Sequence, residues 1–250
     1  MDVTNFVTAS ESSKEAFRTA TLLKTLSINS LITGERGVGK SSLAAYILPD
    51  APVIDASDFN NLLSTLESTR EIIITNFENS PNIKTVIESI NLNGVRVIAT
   101  AKSSFDYEKI DDLFSVKFNI PPLRERLEDV ALLVDIFVKE ASLLFVGGEE
   151  FNIKDFKHDL SENANSLRRQ VMVNYLLQDI KDVELMHIIE NYLSNKLGSN
   201  SDYRNFLYLY EVPLIKAGIN KYKSQLQLAD KLGLNRNTLR KKISDNKKYL

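Results

Sequence analysis

Apolar residues in the first half of the chain alternate between two rhythms. Residues 9–27 carry Ala16, Phe17, Ala20, Leu23 and Leu26 at helical spacing, opened by Ser10 with Ser12 and Ser13 as further capping groups. The apolar pair Leu31-Ile32 then reads as a short buried strand, and Ser42 to Ile47 as a helix. Pro52 to Asp55 predicts a strand, Asn60 to Ser68 a helix, Glu71 to Thr75 a strand, Ile83 to Ile90 a helix and Val95 to Thr100 a strand. Such alternation of apolar strands with amphipathic helices predicts an α/β fold whose mostly parallel sheet is covered on both faces.

From Pro121-Pro122 onward the strand rhythm stops. Helices are expected over about 126–145, 153–160, 166–178 and 184–197, with Gly147-Gly148 as a break and Gly198 to Ser201 as a turn. A further helix runs through Phe206, Leu207, Leu209, Tyr210, Leu214 and Ile215, where Pro213 predicts a kink. The aromatic residues Tyr203, Phe206, Tyr208 and Tyr210 fit a core or a dimer interface better than a base-stacking platform. Gln225 to Ile243 has the spacing of a helix-turn-helix: Ala229 permits a close crossing, Gly233 suits the turn, and Leu228, Leu232, Leu234, Leu239 and Ile243 supply a shared core. Three segments follow from this reading: 1–122, 123–182 and 183–250.

The junction of the first strand and the next helix holds the most specific chemistry. Gly34 to Ser41 reads G-x-x-x-x-G-K-S between a strand pattern and a helix pattern, the context of a phosphate-binding P-loop. Gly34, Gly37, Val38 and Gly39 let backbone N–H groups converge on phosphate oxygens, helped by the positive end of the helix that opens at Lys40, Ser41 and Ser42. Lys40 would reach the β and γ phosphates, and Ser41 would offer its hydroxyl to a nucleotide-bound Mg²⁺. The cofactor expected is therefore ATP or ADP, with Mg²⁺ accompanying it.

Composition narrows the classes. The 250 residues contain no cysteine, which removes disulfides, thiolate metal sites and cysteine nucleophiles and fits a cytoplasmic protein. No apolar run is long enough to span a membrane, and no membrane partner is expected. His158 and His187 have no neighbouring carboxylate pattern that suggests a metal site. The net charge of −2 hides an asymmetry: from Lys216 to Leu250 ten lysines and arginines face two aspartates, a local +8 on a body near −10. A basic tail on an acidic body suggests a polyanion partner for the tail.

That tail ends in the helix-turn-helix. Asn235 is a natural N-cap for a second helix carrying Arg236, Asn237, Thr238, Arg240, Lys241 and Lys242, and the N-terminal end of that helix is the one that enters the major groove of double-stranded DNA. Asn235, Arg236, Asn237 and Arg240 are the residues expected at base edges, with Thr238, Lys241 and Lys242 nearer phosphates, although periodicity does not fix which does which.

With both ends in view, the chain resembles the NtrC-like activators of sigma-54 RNA polymerase, in which an AAA+ domain precedes a Fis-type DNA-binding domain. The resemblance is carried by Gly34 to Lys40, Val95 to Thr100, Pro121-Pro122-Leu123-Arg124-Glu125-Arg126 with Glu128-Asp129-Val130, and Asn235 to Lys242. It implies an AAA+ nucleotide-binding domain over 1–122, a helical lid over 123–182, and a Fis-type domain over 183–250 that forms a homodimer through the helices of 183–218. It also implies RNA polymerase or a related activator as partner, and Arg168 of the lid as the arginine that contacts nucleotide. A dimer would place two recognition helices about one DNA turn apart on a pseudo-palindromic, nucleoid-located site.

The departures weigh as much. Where such activators close a strand with Asp-Glu, this chain has Thr75-Asn76, and neither can serve as an anionic metal ligand or a general base. Glu78 comes two residues later, which along a continuing strand displaces its carboxylate several Å, so that it could substitute only if the strand end were re-registered. The loop that touches the sigma factor has no room between Asp55 and Glu71; Lys102 or its neighbours stand where an asparagine senses the γ phosphate; and the arginine expected between Phe114 and Pro121 is missing. The expectation is a sequence-specific DNA-binding regulator that holds a nucleotide, hydrolyses it poorly and has no catalytic residue of its own. The alternatives are a working ATPase of the sigma-54 activator class and a truncated partner of a full-length activator.

Overall fold

The computed structural model describes residues 6–106, 112–144, 157–178 and 180–250. These fall into two compact units, Met1–Asp179 and Ile180–Leu250.

In the first unit, helix α1 (Glu11–Thr25) is capped by Ser10, whose hydroxyl accepts from the Ser13 N–H. Five strands follow: β1 (Ser30–Gly34), β2 (Val53–Asp55), β3 (Glu71–Thr75), β4 (Arg96–Ala101) and β5 (Val116–Ile120). They form one parallel sheet in the order β2-β3-β4-β1-β5. Strand alternation divides the core in two. Leu31, Ile72, Ile74, Val97 and Ala99 point to one face, where they meet α3 (Phe59–Ser68) and α4 (Ile83–Asn93) through Leu62, Leu66, Val86 and Ile90. Ile32, Ile73, Ile98 and Ile120 point to the other, against Ala20 and Leu23 of α1 and Leu43 and Ile47 of α2 (Lys40–Ile47). Both faces are thus dry, which is why these strands read as unbroken apolar runs.

Strand β5 escaped the sequence reading. It is an edge strand of Val116, Lys117, Phe118, Asn119 and Ile120, of which only Ile120 is fully buried, so it carries no continuous apolar run. Beyond it, α5 (Leu127–Leu144) and α6 (Ala164–Leu177) pack through Val130, Val134, Phe137, Leu167 and Val171. The helix expected at 153–160 falls partly outside the described residues, and its described part, 157–160, is not helical. Gly147-Gly148 also lies outside them.

The second unit is all-helical: α7 (Asp182–Ser194), α8 (Asp202–Phe206), α9 (Tyr208–Tyr222), α10 (Gln225–Lys231) and α11 (Arg236–Asp245). Ile215, Leu228, Ala229 and Leu239 form its core, with Tyr222, Leu232, Leu234 and Ile243 half-buried around them. Gly218 is what lets α9 and α10 meet, because a Cβ there would stand 2.2 Å from Leu228 Cδ1. The chain breaks between α8 and α9 at Leu207, and Pro213 sits inside α9, where it has no N–H to give the helical ladder.

Candidate functional site

The strand order brings the carboxyl ends of β3, β4 and β1 side by side, the end of a parallel sheet where ligands bind. The P-loop leaves β1 there and turns into α2. Gly37, at φ +80°, is pressed against the chain: a Cβ on it would lie 2.4 Å from the Glu162 carbonyl oxygen, and its own carbonyl accepts from the Ala164 N–H at 3.1 Å. The Lys40 ammonium donates to the carbonyl oxygens of Gly34 and Glu35, each at 2.7 Å. Burial lowers its pKa, while the nearby carboxylates of Glu78 and Glu35 oppose that and Lys102 adds to it.

Two arginines from the segment after β5 fasten this loop. Arg124 makes a two-pronged pair with Glu35 at 3.0 and 2.6 Å. The Asn163 amide donates to the same carboxylate at 3.1 Å and to the Arg36 carbonyl at 2.9 Å, while its oxygen accepts from the Leu123 N–H at 2.7 Å. Held first by the Arg124 hydrogen bonds and then by Asn163, the Glu35 carboxyl titrates at about 2. Arg126 is buried, and its guanidinium reaches the Val38 carbonyl of the loop at 2.7 Å, the Pro121 carbonyl at 2.9 Å and the Ser13 hydroxyl of α1 at 2.9 Å. Asp129 balances that charge at 3.2 Å and collects the Ala9 and Ser10 N–H groups at 2.7 and 2.9 Å.

Around the loop lies a cavity of about 680 Å³, lined by Arg36, Gly37, Gly39, Lys40, Ser41, Ser42, Asn165 and the strand-end residues Thr75, Asn76, Thr100 and Lys102. A second cavity of about 420 Å³ shares Gly37, Gly39, Ser42, Ala164 and Asn165 with it and continues over Phe6, Val7, Val38, Leu133, Ile136 and Phe137. The first cavity is polar and cationic, and the second, which meets it at the P-loop, is lined in larger part by apolar side chains. Gly34 and Val38 lie outside the first chamber: Gly34 ends β1, and buried Val38 lines the second. Arg168 borders the second chamber, where its guanidinium is paired with Glu140, Nε to Oε2 at 2.9 Å.

Ser41 lines the phosphate chamber, the hydroxyl expected to meet a nucleotide-bound Mg²⁺, but among the described residues no carboxylate lines it and no group of three His, Cys, Asp or Glu side chains is placed to hold an ion. The Asn76 amide donates to Asp55 Oδ2 at 2.6 Å, toward β2. Glu78 corrects the sequence reading. Strand β3 stops at Thr75, Asn76 turns the chain at φ +52°, and a 3-10 turn (Phe77–Asn79) buries Phe77 and folds Glu78 back to 3.8 Å from Lys102. The carboxylate is therefore not displaced along a strand, and both its oxygens are sealed from solvent without a hydrogen bond.

In the second unit Asn235 caps α11, accepting from the Asn237 N–H at 2.9 Å. Asn235, Arg236, Asn237, Thr238, Arg240 and Lys241 are all exposed, with Leu239 between them buried in the core. Lys242 differs from these six: half-buried, it pairs with Glu211 of α9. Helix α7 has no buried residue, and Val183, Leu185, Met186, Ile188, Ile189 and Tyr192 on it are all exposed. They adjoin an apolar groove of about 600 Å³ that Leu185 and Ile189 share with Tyr203, Phe206 and Pro213.

Sequence reasoning missed Asn163 and the hub made by Arg126 and Asp129. The charge run Arg124 to Asp129 reads by spacing as a solvated helix start, and the resemblance set it at the junction of sheet domain and lid without pointing to this contact.

No protein-family model matches the chain. A Geobacillus stearothermophilus protein named limonene hydroxylase is 28% identical over 190 residues, covering 73% of this chain and 35% of the relative. A DNA-binding transcriptional regulator NtrC of Azospirillum brasilense is 30% identical over 176 residues, 54% of this chain and 37% of the relative. The chain thus spans little more than a third of the length of these curated relatives. Among solved structures, NtrX of Brucella abortus in complex with ADP superposes with a TM-score of 0.59 at 18% identity, covering 97% of this chain and 70% of that one. The same protein in complex with ATP gives 0.57 at 17% identity, over 96% and 69%. The first unit thus shares its fold, a parallel sheet with a P-loop, with NtrX, and is similar in sequence to a part of the NtrC regulators.

Proposed function

We propose that this chain is a sequence-specific, DNA-binding transcription regulator of the sigma-54 activator kind, in which a P-loop domain binds ATP or ADP as a signal and hydrolyses it poorly. One observation carries the reading: a P-loop chamber lined by cations but by no acid shares a chain with a capped helix whose exposed face holds Asn235, Arg236, Asn237, Thr238, Arg240 and Lys241. Phosphoryl transfer needs a base or a water-positioning group; among the described residues no carboxylate lines the chamber, Asp55 beside it is engaged by the Asn76 amide, and the Glu78 oxygens are sealed from solvent. Nucleotide then acts by binding alone. At a hundredfold over its Kd a ligand contributes about 2.7 kcal/mol to the state that holds it, enough to shift a balance between two conformations.

The exposed apolar face of α7 and the groove beside it support dimerisation through 183–218, a second copy being the partner with the same unpaired face. Two α11 helices would then read two half-sites, with the +8 segment on the phosphates. RNA polymerase or a related activator is the protein partner that the likeness to NtrC regulators suggests.

The test is a footprint of the purified protein on genomic DNA with and without ATP or ADP, beside thermal melts in the same nucleotides. A protected, two-fold symmetric site and a nucleotide-dependent melt support the reading. Uniform weak binding to all DNA sinks the regulator, and steady ATP turnover abolished by Lys40→Ala sinks the signal-only role in favour of a working ATPase.

A further inference from the structure

We infer that the P-loop chamber binds nucleotide without a divalent cation, the Lys102 ammonium supplying the positive charge that a metal ion would bring. The inference rests on the nucleotide reading above and specifies its chemistry.

A P-loop normally shares the phosphate charge with Mg²⁺, which is held by the Ser or Thr that follows the lysine and by an acid at a neighbouring strand end. Here Ser41 lines the chamber, but the strand end presents Thr75 and Asn76, and the Asn76 amide is turned away to Asp55. The charged groups lining the chamber are Arg36, Lys40 and Lys102, all positive. A dication placed among them would meet repulsion from these three cationic side chains, and among the described residues the chamber lining itself offers no carboxylate to ligate it.

Lys102 is built for the substitute role. It follows β4 directly, and β4 is the neighbour of the P-loop strand, so the sheet delivers this lysine to the phosphate side. Its side chain is 62% exposed, so the ammonium is open to a phosphate oxygen on the side away from Glu78. Glu78, sealed beneath at 3.8 Å, anchors the ammonium from below without competing at the surface. The Glu78 carboxylate has no hydrogen-bond partner of its own, so a cation beside it is what makes its burial tolerable. Ser41 then donates its hydroxyl to a phosphate oxygen instead of ligating a metal.

The experiment is calorimetric titration of the full chain with ATP and with ADP, once in excess EDTA and once in excess MgCl₂. The expected dissociation constants agree within about threefold between the two buffers, less than half a decade of affinity. Lys102→Ala should weaken binding in EDTA by about tenfold or more, the effect of losing one charged hydrogen bond, and Lys102→Arg should keep it. Circular dichroism checks that the exposed substitution leaves the fold intact. A wild-type affinity that collapses in EDTA overturns metal independence while leaving nucleotide binding standing. Metal-free binding indifferent to Lys102→Ala overturns the assignment of this lysine. Absence of binding in both buffers overturns this inference together with the nucleotide reading itself.

Discussion

Arg126 Nη1 lies 3.2 Å from Asp129 Oδ2, both side chains are almost wholly buried, and the same guanidinium donates to the P-loop carbonyl of Val38 at 2.7 Å. One ion pair therefore ties α1, the P-loop and the start of α5 into a single block. Removing one partner of a buried pair strands the other charge, so Asp129→Ala should cost about 3–5 kcal/mol of stability. Urea unfolding measures it, and a cost under 1 kcal/mol would mean the block is held by packing alone.

Glu35 adds a pH dependence of known sign. Its carboxyl titrates at about 2 in the fold against an ordinary 4.5, because Arg124 and Asn163 bond the charged form. A lowered folded pKa contributes stability that is fully present above the unfolded pKa and is lost as pH falls through the folded one. The melting-temperature gap between wild type and Glu35→Gln should be largest above pH 5 and close as pH falls from 4.5 toward 2. An unchanged gap at pH 3 and pH 7 contradicts the pairing.

Gly37 tolerates no side chain. Its φ of +80° and the 2.4 Å approach to the Glu162 carbonyl should make Gly37→Ala cost about 1–3 kcal/mol. The same change should abolish any nucleotide-dependent rise in melting temperature, because the loop must shift to admit the methyl group. Differential scanning fluorimetry with and without ATP separates the two effects.

Gly218 plays a comparable part in the second unit. Gly218→Ala puts a methyl group 2.2 Å from Leu228 in a core of four fully buried residues. Overpacking of this kind costs about 1–3 kcal/mol, so helical signal and DNA affinity should fall together. By contrast, Arg240→Ala leaves the core alone and should weaken the specific site far more than random DNA, whereas Lys248→Ala should weaken both alike and flatten the salt dependence. Equal losses on both DNAs for Arg240→Ala would remove α11 as the reader.

Dimerisation through α7 predicts that Leu185→Glu with Ile189→Glu yields monomers in light scattering without loss of helix, since neither side chain is buried in the chain itself. Unchanged assembly would place the contact elsewhere.

Much of the α/β order was legible because its signals are local. The glycines and Lys40 sit between a strand rhythm and a helix rhythm, and strands buried on both faces announce themselves as apolar runs. The N-cap Asn235 and the turn Gly233, at φ +63°, were legible for the same reason: each answers to the backbone of its immediate neighbours. Strand β5 was not, because a half-exposed edge strand has neither a long apolar run nor a clean alternation.

By itself the sequence determined which segments bury apolar faces, which loop can curl around phosphate, and which end of the chain is basic. These depend on residues within a few positions of one another. That Thr75, Asn76 and Lys102 belong at that loop came from the resemblance and from no local pattern; the tertiary structure brings them there, with Thr100, because the order β2-β3-β4-β1-β5 makes distant strand ends neighbours. It alone aimed Glu78 at Lys102, because a left-handed turn at Asn76 reverses what counting along a strand implies. And it alone joined Asn163 to Glu35, 128 residues apart, by a hydrogen bond that no local pattern encodes.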